Sequence, residues 1–223
     1  MTSIISLKNI SKTFQNNLTL NNISLDIAEG KITSLLGNSG SGKTTILRLI
    51  AGLEKPDSGE IFILNKSVTK DEKTIIPSAQ REIGFIFQDL ALWSHMSVYD
   101  NIAFGLKLKK SQNIEQKVVE ILKFFDIEKY RNSYPNQISG GQQQLVAIAR
   151  SLVLKPKILL MDEPLSNLDI HLKEKMRIQI KALRDSFKVT IIYVTHDHEE
   201  AFSLADEVVM VEDGKIKKLE NYQ

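Results

Sequence analysis

The chain has 223 residues, 42% of them hydrophobic, 25% charged and 7% aromatic, with 11 Gly and 5 Pro; that is enough to bury a core and excludes collagen-like, low-complexity and disordered classes. It contains no Cys, so disulfide scaffolds, thiolate zinc sites and cysteine nucleophiles are ruled out, and a reducing compartment is permitted. A formal net charge of +2 is too small to argue for a nucleic-acid partner.

No stretch reaches the ~18–20 consecutive apolar residues of a membrane span, and residues 1–8 lack a basic leader and a long apolar run. The expectation is a soluble, unexported chain whose membrane role would come through a partner. In chain order, short β-rich runs at 4–10, 23–27, 32–36 and 60–64 are punctuated by Glu29-Gly30 and Asp57-Ser58-Gly59. The spacing of Ile46, Leu47 and Ile50 predicts a helix over 43–51 with Gly52 as its C-cap.

Ser97 and Asp100 mark a capped helix start. Further on, Val118, Ile121, Leu122 and Phe125 form the i, i+3, i+4, i+7 stripe of an amphipathic helix. The text breaks at Pro135, and Leu145, Ile148, Ala149 and Leu152 form a second stripe. The last third alternates strand and helix: strands at 158–161, 189–194 and 208–211, helices at about 170–186 and 198–204. Continuously apolar strands separated by helices predict a parallel sheet covered on both faces.

Gly37, Asn38, Ser39, Gly40, Ser41, Gly42, Lys43 and Thr44 fit G-x-x-x-x-G-K-[ST], between an apolar strand and a helix. Glycines let the backbone turn its N–H groups inward, so phosphates meet a nest of donors and the positive end of a helix dipole. Lys43 adds a charge for the β and γ oxygens, and Thr44 offers a hydroxyl to Mg²⁺. The strand at 158–161 ends in Asp162 and Glu163, at the edge where open α/β sheets bind ligands. Asp162 would hold Mg²⁺ through water and Glu163 would polarise the attacking water. Alone, an apolar strand ending in Asp-Glu is also an ordinary strand terminus.

Between these motifs stands Ile138-Ser139-Gly140-Gly141-Gln142. Here the chain resembles the ATP-binding-cassette family, whose signature LSGGQ lies just upstream of the metal-holding strand. By itself Ser-Gly-Gly-Gln is also an ordinary helix cap; physically, it opens a helix whose N-terminus can receive a γ-phosphate. The resemblance implies that this phosphate belongs to ATP on a partner subunit, so that a homodimer or paired cassette sandwiches two nucleotides. It also implies that Phe14 stacks on adenine, that Thr45 lies in the nucleotide site, that Gln88 is a Q-loop residue reaching the metal, that 166–169 form a D-loop, and that His196 is the switch histidine. Taken singly, Phe14 is also a plausible core aromatic and His196 a helix-start histidine.

Residues 85–106, with Leu92-Trp93-Ser94-His95-Met96, Thr195-His196-Asp197 and Glu199-Glu200-Ala201-Phe202 are similar to import-type cassettes. An exposed Trp93 and Met96 beside a mobile Gln88 would suit docking of a membrane-subunit helix; a buried satellite core is the alternative for Trp93. There are departures. Ile138 replaces the usual Leu, Ser94 stands where many importers carry Pro, Leu145 occupies a position that is commonly Arg, and nothing after Gln223 supplies the C-terminal β-domain of the sugar-importer branch.

The resemblance therefore implies one α/β cassette domain over 1–223: a P-loop core with an N-terminal antiparallel β-subdomain and a helical insert at about 90–155. It implies an ATP hydrolase using Mg²⁺, with Lys43, Glu163 and His196 catalytic. Such a subunit would power a separate permease docked near 88–96 on the cytoplasmic face of the membrane, importing a small solute delivered by an extracytoplasmic binding protein, with no nucleic acid involved. An efflux or lipoprotein-release ATPase, a soluble cassette acting on DNA or ribosomes, and a non-hydrolysing regulatory module are the rivals. The solute itself is not legible in the cassette.

Overall fold

A computed structural model describes residues 3–15, 17–166 and 168–221. Their strands form two sheets, because the sequence supplies two kinds of strand. Strands β1 (Ser3–Phe14), β2 (Asn17–Ala28), β4 (Ser58–Ile63) and β5 (Lys66–Lys70) mix buried with exposed residues, β6 (Lys73–Thr74) is exposed, and the five pair antiparallel in the order β2-β1-β4-β5-β6. Strands β3 (Ile32–Leu36), β8 (Ile158–Asp162) and β9 (Thr190–Thr195) are buried along their whole length. With β7 (Ile83–Ile86), β10 (Glu207–Glu212) and β11 (Lys215–Asn221) they form a second sheet in the order β11-β10-β3-β9-β8-β7, parallel except for the β10–β11 hairpin.

Strand alternation divides the core. Leu36, Leu159, Met161, Ile191 and Tyr193 face a cluster shared with the helices α2 (Val98–Leu108), α3 (Ile114–Phe124), α4 (Gly140–Leu152), α5 (Ile170–Phe187) and α6 (His198–Leu204). Leu35, Ile158, Leu160, Ile192 and Val194 face a second cluster, shared with α1 (Lys43–Ala51) and the antiparallel sheet. The predicted helix start is built as expected: Ser97 caps α2 by accepting from the Asp100 N–H at 3.0 Å. Helices α2, α3 and α4 occupy the stretch between β7 and β8.

One buried arginine joins the sheets to α1. The Arg81 guanidinium donates to the last carbonyls of α1, Leu49 O at 3.0 Å and Ile50 O at 2.8 Å, and to Ile76 O and the Thr69 hydroxyl. Burial depresses its pKa to about 10. Arg81→Ala strands these acceptors in a dry interior, a loss on the order of 3 kcal/mol, which corresponds to a melting temperature lower by about 6–12 °C for a domain of this size. Calorimetry showing a shift under 2 °C would mean the acceptors find other donors.

Candidate functional site

The loop 37–44 runs from the carboxyl end of β3 into α1. Gly42 caps the helix at φ 105°, a left-handed conformation that side chains rarely adopt, and a Cβ there would meet the Leu20 side chain. Asn38, Ser39 and Gly40 form an exposed rim, and Thr45 is half-buried in the first turn of α1. The loop is braced from outside. Gly37 is pressed so closely to the Val211 carbonyl that a Cβ has no room. Gly214 donates its N–H to Ser41 O at 3.2 Å and accepts from Asn21 N–H at 2.9 Å.

Lys43 is buried and donates to Gly37 O at 2.7 Å and Asn38 O at 2.8 Å, lying across the loop it belongs to. Burial lowers its pKa, against the opposing pull of the Glu163 and Asp162 carboxylates. The Thr44 hydroxyl donates to Asp162 Oδ1 at 2.8 Å, which joins loop and strand end across 118 positions of sequence. Burial raises the Asp162 pKa, the Thr44 hydrogen bond opposes it, and Glu163 adds repulsion. Gln88, exposed, lines the same cleft as Thr44, Arg48 and Asp162.

Glu163 follows directly on β8 at φ 45°, an uncommon conformation for a non-glycine residue. Its N–H donates to Val194 O at 3.1 Å, and its Oε2 lies 3.3 Å from Nδ1 of the exposed His196 at the end of β9. Ser166 closes the next turn, donating its hydroxyl to Glu163 O at 3.0 Å; Asn167 lies outside the described residues. Asp169 then caps α5 by accepting from the Leu172 N–H at 2.9 Å.

Ser139 caps α4, and the Gln142 carboxamide reaches back to the Ser139 N–H at 2.8 Å, a reciprocal cap. The two glycines differ. A Cβ on Gly141 would lie 2.5 Å from the Leu172 side chain, whereas one on Gly140 would meet nothing within 4 Å. This helix end shares none of the hydrogen bonds that join 37–44 to Asp162. Leu145, at the position that departs from the family pattern, packs against the helical core. Phe14 is 38% exposed at the end of β1, with the Lys12 ammonium 4.9 Å from its ring centre.

The segment 92–97 corrects one expectation: Trp93 and Met96 are half-buried, not exposed. The Trp93 ring packs on Phe104 at 4.5 Å, and the fully buried Asn101 carboxamide accepts from the Trp93 N–H and donates to Trp93 O, Met96 O and Ser97 O. Glu200, read from the sequence only as part of the import-type run Glu199-Glu200-Ala201-Phe202, takes a structural role that the reading did not assign. Its buried carboxylate accepts from the Tyr193 and Thr195 hydroxyls at 3.0 and 2.9 Å and pairs with Lys173 at 2.8 Å, under the His196 loop. The available signal was two polar residues, i and i+2, on one face of an otherwise aliphatic buried strand, which must find a partner.

Thr44 and Asp162 present hard oxygen donors side by side, with the Gln88 amide lining the cleft, a set that suits Mg²⁺ and not a soft metal.

The sequence model of the ABC transporter family matches residues 20–166. The Fe(3+) ions import ATP-binding protein FbpC of Vibrio cholerae serotype O1 is 51% identical over 219 residues, 97% of this chain but 61% of that protein. The probable sulfate/thiosulfate import ATP-binding protein CysA of Chlorella vulgaris is 44% identical, over 98% of this chain and 92% of its own length. Among solved structures, the dimeric post-hydrolysis state of the ATP-binding cassette MJ0796 bound to ADP and Pi superposes with a TM-score of 0.86 at 34% identity, over 98% of this chain and 99% of that one. The 37–44 loop, a strand-end carboxylate pair and an intervening Ser-Gly-Gly-Gln helix cap, on a fold shared along nearly the whole chain with the MJ0796 cassette and matched by the family's sequence model over residues 20–166, place the chain in the ABC transporter family.

Proposed function

We propose that residues 1–223 act as one cassette domain, with a helical insert at about 90–155, that binds and hydrolyses ATP to power a separate membrane permease importing a small solute. The observation that carries this reading is the Thr44–Asp162 hydrogen bond beside Gln88: three motifs distant in sequence meet in one cleft at the carboxyl edge of the parallel sheet, where α/β folds hold nucleotides. Residues 37–45 cradle the phosphates, and Lys43 leaves the carbonyls of its own loop for the β and γ oxygens. Thr44, Asp162 and Gln88 would hold Mg²⁺, which neutralises charge on the phosphate oxygens. Glu163 takes the proton of the attacking water, and His196, in contact with Glu163, orients that carboxylate and senses the γ-phosphate.

Phe14 stacks on adenine from its half-exposed place at the rim. Ser139, Gly140, Gly141 and Gln142 serve a nucleotide on a second copy, a reading supported by their separation from the chain's own phosphate loop and by the dimeric state of the MJ0796 structure. No helix of the described residues is long and apolar enough to cross a membrane, so attachment to the cytoplasmic face would run through the permease, docked near 88–96. The import names of the relatives, iron for FbpC and sulfate for CysA, support a small solute; an extracytoplasmic binding protein in the same system is part of this proposal.

Phosphate release by the purified chain with MgATP tests the reading. Turnover should vanish with excess EDTA and in Lys43→Ala. A folded wild-type chain that binds ATP without releasing phosphate would favour a regulatory module.

A further inference from the structure

His196 stands exposed on the short connection between β9 and α6, and one acidic residue closes the backbone on both sides of it. Thr195, before it, donates its hydroxyl to Glu200 Oε2 at 2.9 Å and accepts from the Asp197 N–H at 3.0 Å. Asp197, after it, accepts at Oδ1 from the Glu200 N–H at 3.2 Å. Together these bonds form a ring that spans the histidine without using its imidazole, which is left to face Glu163 Oε2 at 3.3 Å. Tyr193, two positions earlier on β9 and fully buried, donates to the same Glu200 oxygen at 3.0 Å. Burial, reinforced by the Glu200 charge, pushes the pKa of this phenol well up, so it stays a donor.

The cation facing this carboxylate comes from the Glu163 side of the site. Lys173 Nζ lies 2.8 Å from Glu200 Oε1 and 3.9 Å from Asp197 Oδ2. Lys173 is in the first turn of α5, where its N–H donates to Asp169 O at 2.9 Å. The segment leading into that helix starts at Glu163, whose carbonyl accepts the Ser166 hydroxyl. The Lys173–Glu200 pair therefore ties the chain that carries Glu163 to the chain that carries His196. Glu200 is only 4% exposed, and a buried ion pair is weak grounds for stability, since apolar side chains of similar volume often do as well. What an apolar pair cannot do is hold two hydroxyls and an ammonium in one arrangement. We propose that Glu200 is a positioning residue for hydrolysis: with Lys173 it fixes the Thr195–Asp197 backbone so that the His196 imidazole stands against Glu163. It acts through His196 and not on the nucleotide.

This assignment rests on the hydrolysis reading above, and the test separates the two. Phosphate release across ATP concentrations and melting temperature are measured for the wild type, Glu200→Gln, His196→Ala and the double variant. Glu200→Gln keeps the shape of the side chain and one acceptor oxygen but loses the pairing with Lys173. The expected result is a kcat lower by about 10–100-fold, the scale on which a displaced catalytic group costs rate, with KM for ATP within about twofold because 37–45 are untouched. In the His196→Ala background the same change should alter kcat by less than about twofold, since a residue acting through His196 has nothing left to place. A kcat lowered by the same factor in both backgrounds, or a lower melting temperature with wild-type kcat, overturns the assignment and leaves a packing role. If Glu200→Gln does not fold, or His196→Ala falls below detection, Thr195→Val and Thr195→Ser decide the matter. Valine removes the hydroxyl that links Asp197 to Glu200 and serine keeps it, so kcat should fall in the first and hold in the second; equal activity in both overturns the assignment. A wild-type chain that releases no phosphate overturns the hydrolysis reading, and this assignment with it.

Discussion

Glu163→Gln should lower ATP turnover by about 10²–10⁴-fold, the range a positioned general base contributes, while leaving ATP affinity within a few-fold. The amide keeps the shape of the side chain, and the backbone bond to Val194 O does not depend on it. What is lost is the basic oxygen that faces His196. Removing this charge also relieves repulsion on Asp162 and takes one anion away from Lys43, two changes that act in opposite directions on nucleotide binding. Single-turnover phosphate release, with calorimetry for affinity, measures both quantities. Size-exclusion chromatography in ATP should then show the variant held as a dimer. A variant within threefold of the wild-type rate would remove Glu163 from the proton transfer.

The second large effect concerns the sharing of sites between copies. Lys43→Ala removes the phosphate charge of its own chain, and Gly140→Asp sets a carboxylate at the helix end proposed to meet the partner's γ-phosphate. Gly140 is the position to use, since a side chain there meets open space, while one at Gly141 would collide with Leu172 and confuse folding with function. An Asp in the first turn of a helix is itself compatible with the dipole. Each variant alone should be inactive. Mixed dimers carry one intact site beside one doubly broken site, so an equal mixture should recover up to about a quarter of wild-type activity if pairing is random in a two-fold dimer and the sites act independently. Both variants folded, mixed dimers detected, and no recovered phosphate release across several ratios would refute shared, independent sites.

Legibility in the sequence tracked how local each feature is. The phosphate loop and the strands β3, β8 and β9 could be read directly, because eight contiguous residues or an unbroken apolar run suffice. Strands β5, β6 and β11 could not. They sit at or next to sheet edges and carry lysines, the composition that protects an edge and also disguises it as a loop. β7 was hidden by Gly84, where a side chain would press on Leu159 of the neighbouring strand. For the candidate site, motif order pointed to Asp162, Gln88 and Ser139, but nothing in the order of residues separates Gly140 from Gly141 or announces that Arg150 reaches back 60 positions to Leu90. Those contacts exist only once α4 has packed.

The brace around the phosphate loop has a consequence for the order in which the protein becomes competent during synthesis. The motif 37–44 leaves the ribosome early, yet its outer wall is the Val211 carbonyl and its tie is the Gly214 N–H, both made more than 160 residues later. A nascent chain that has exposed the entire motif therefore still lacks the support that shapes it. Since domains generally fold as units, the expectation is that 37–44 takes its braced shape only after the β10–β11 turn has emerged, and that a chain truncated before that turn presents the motif without its outer wall.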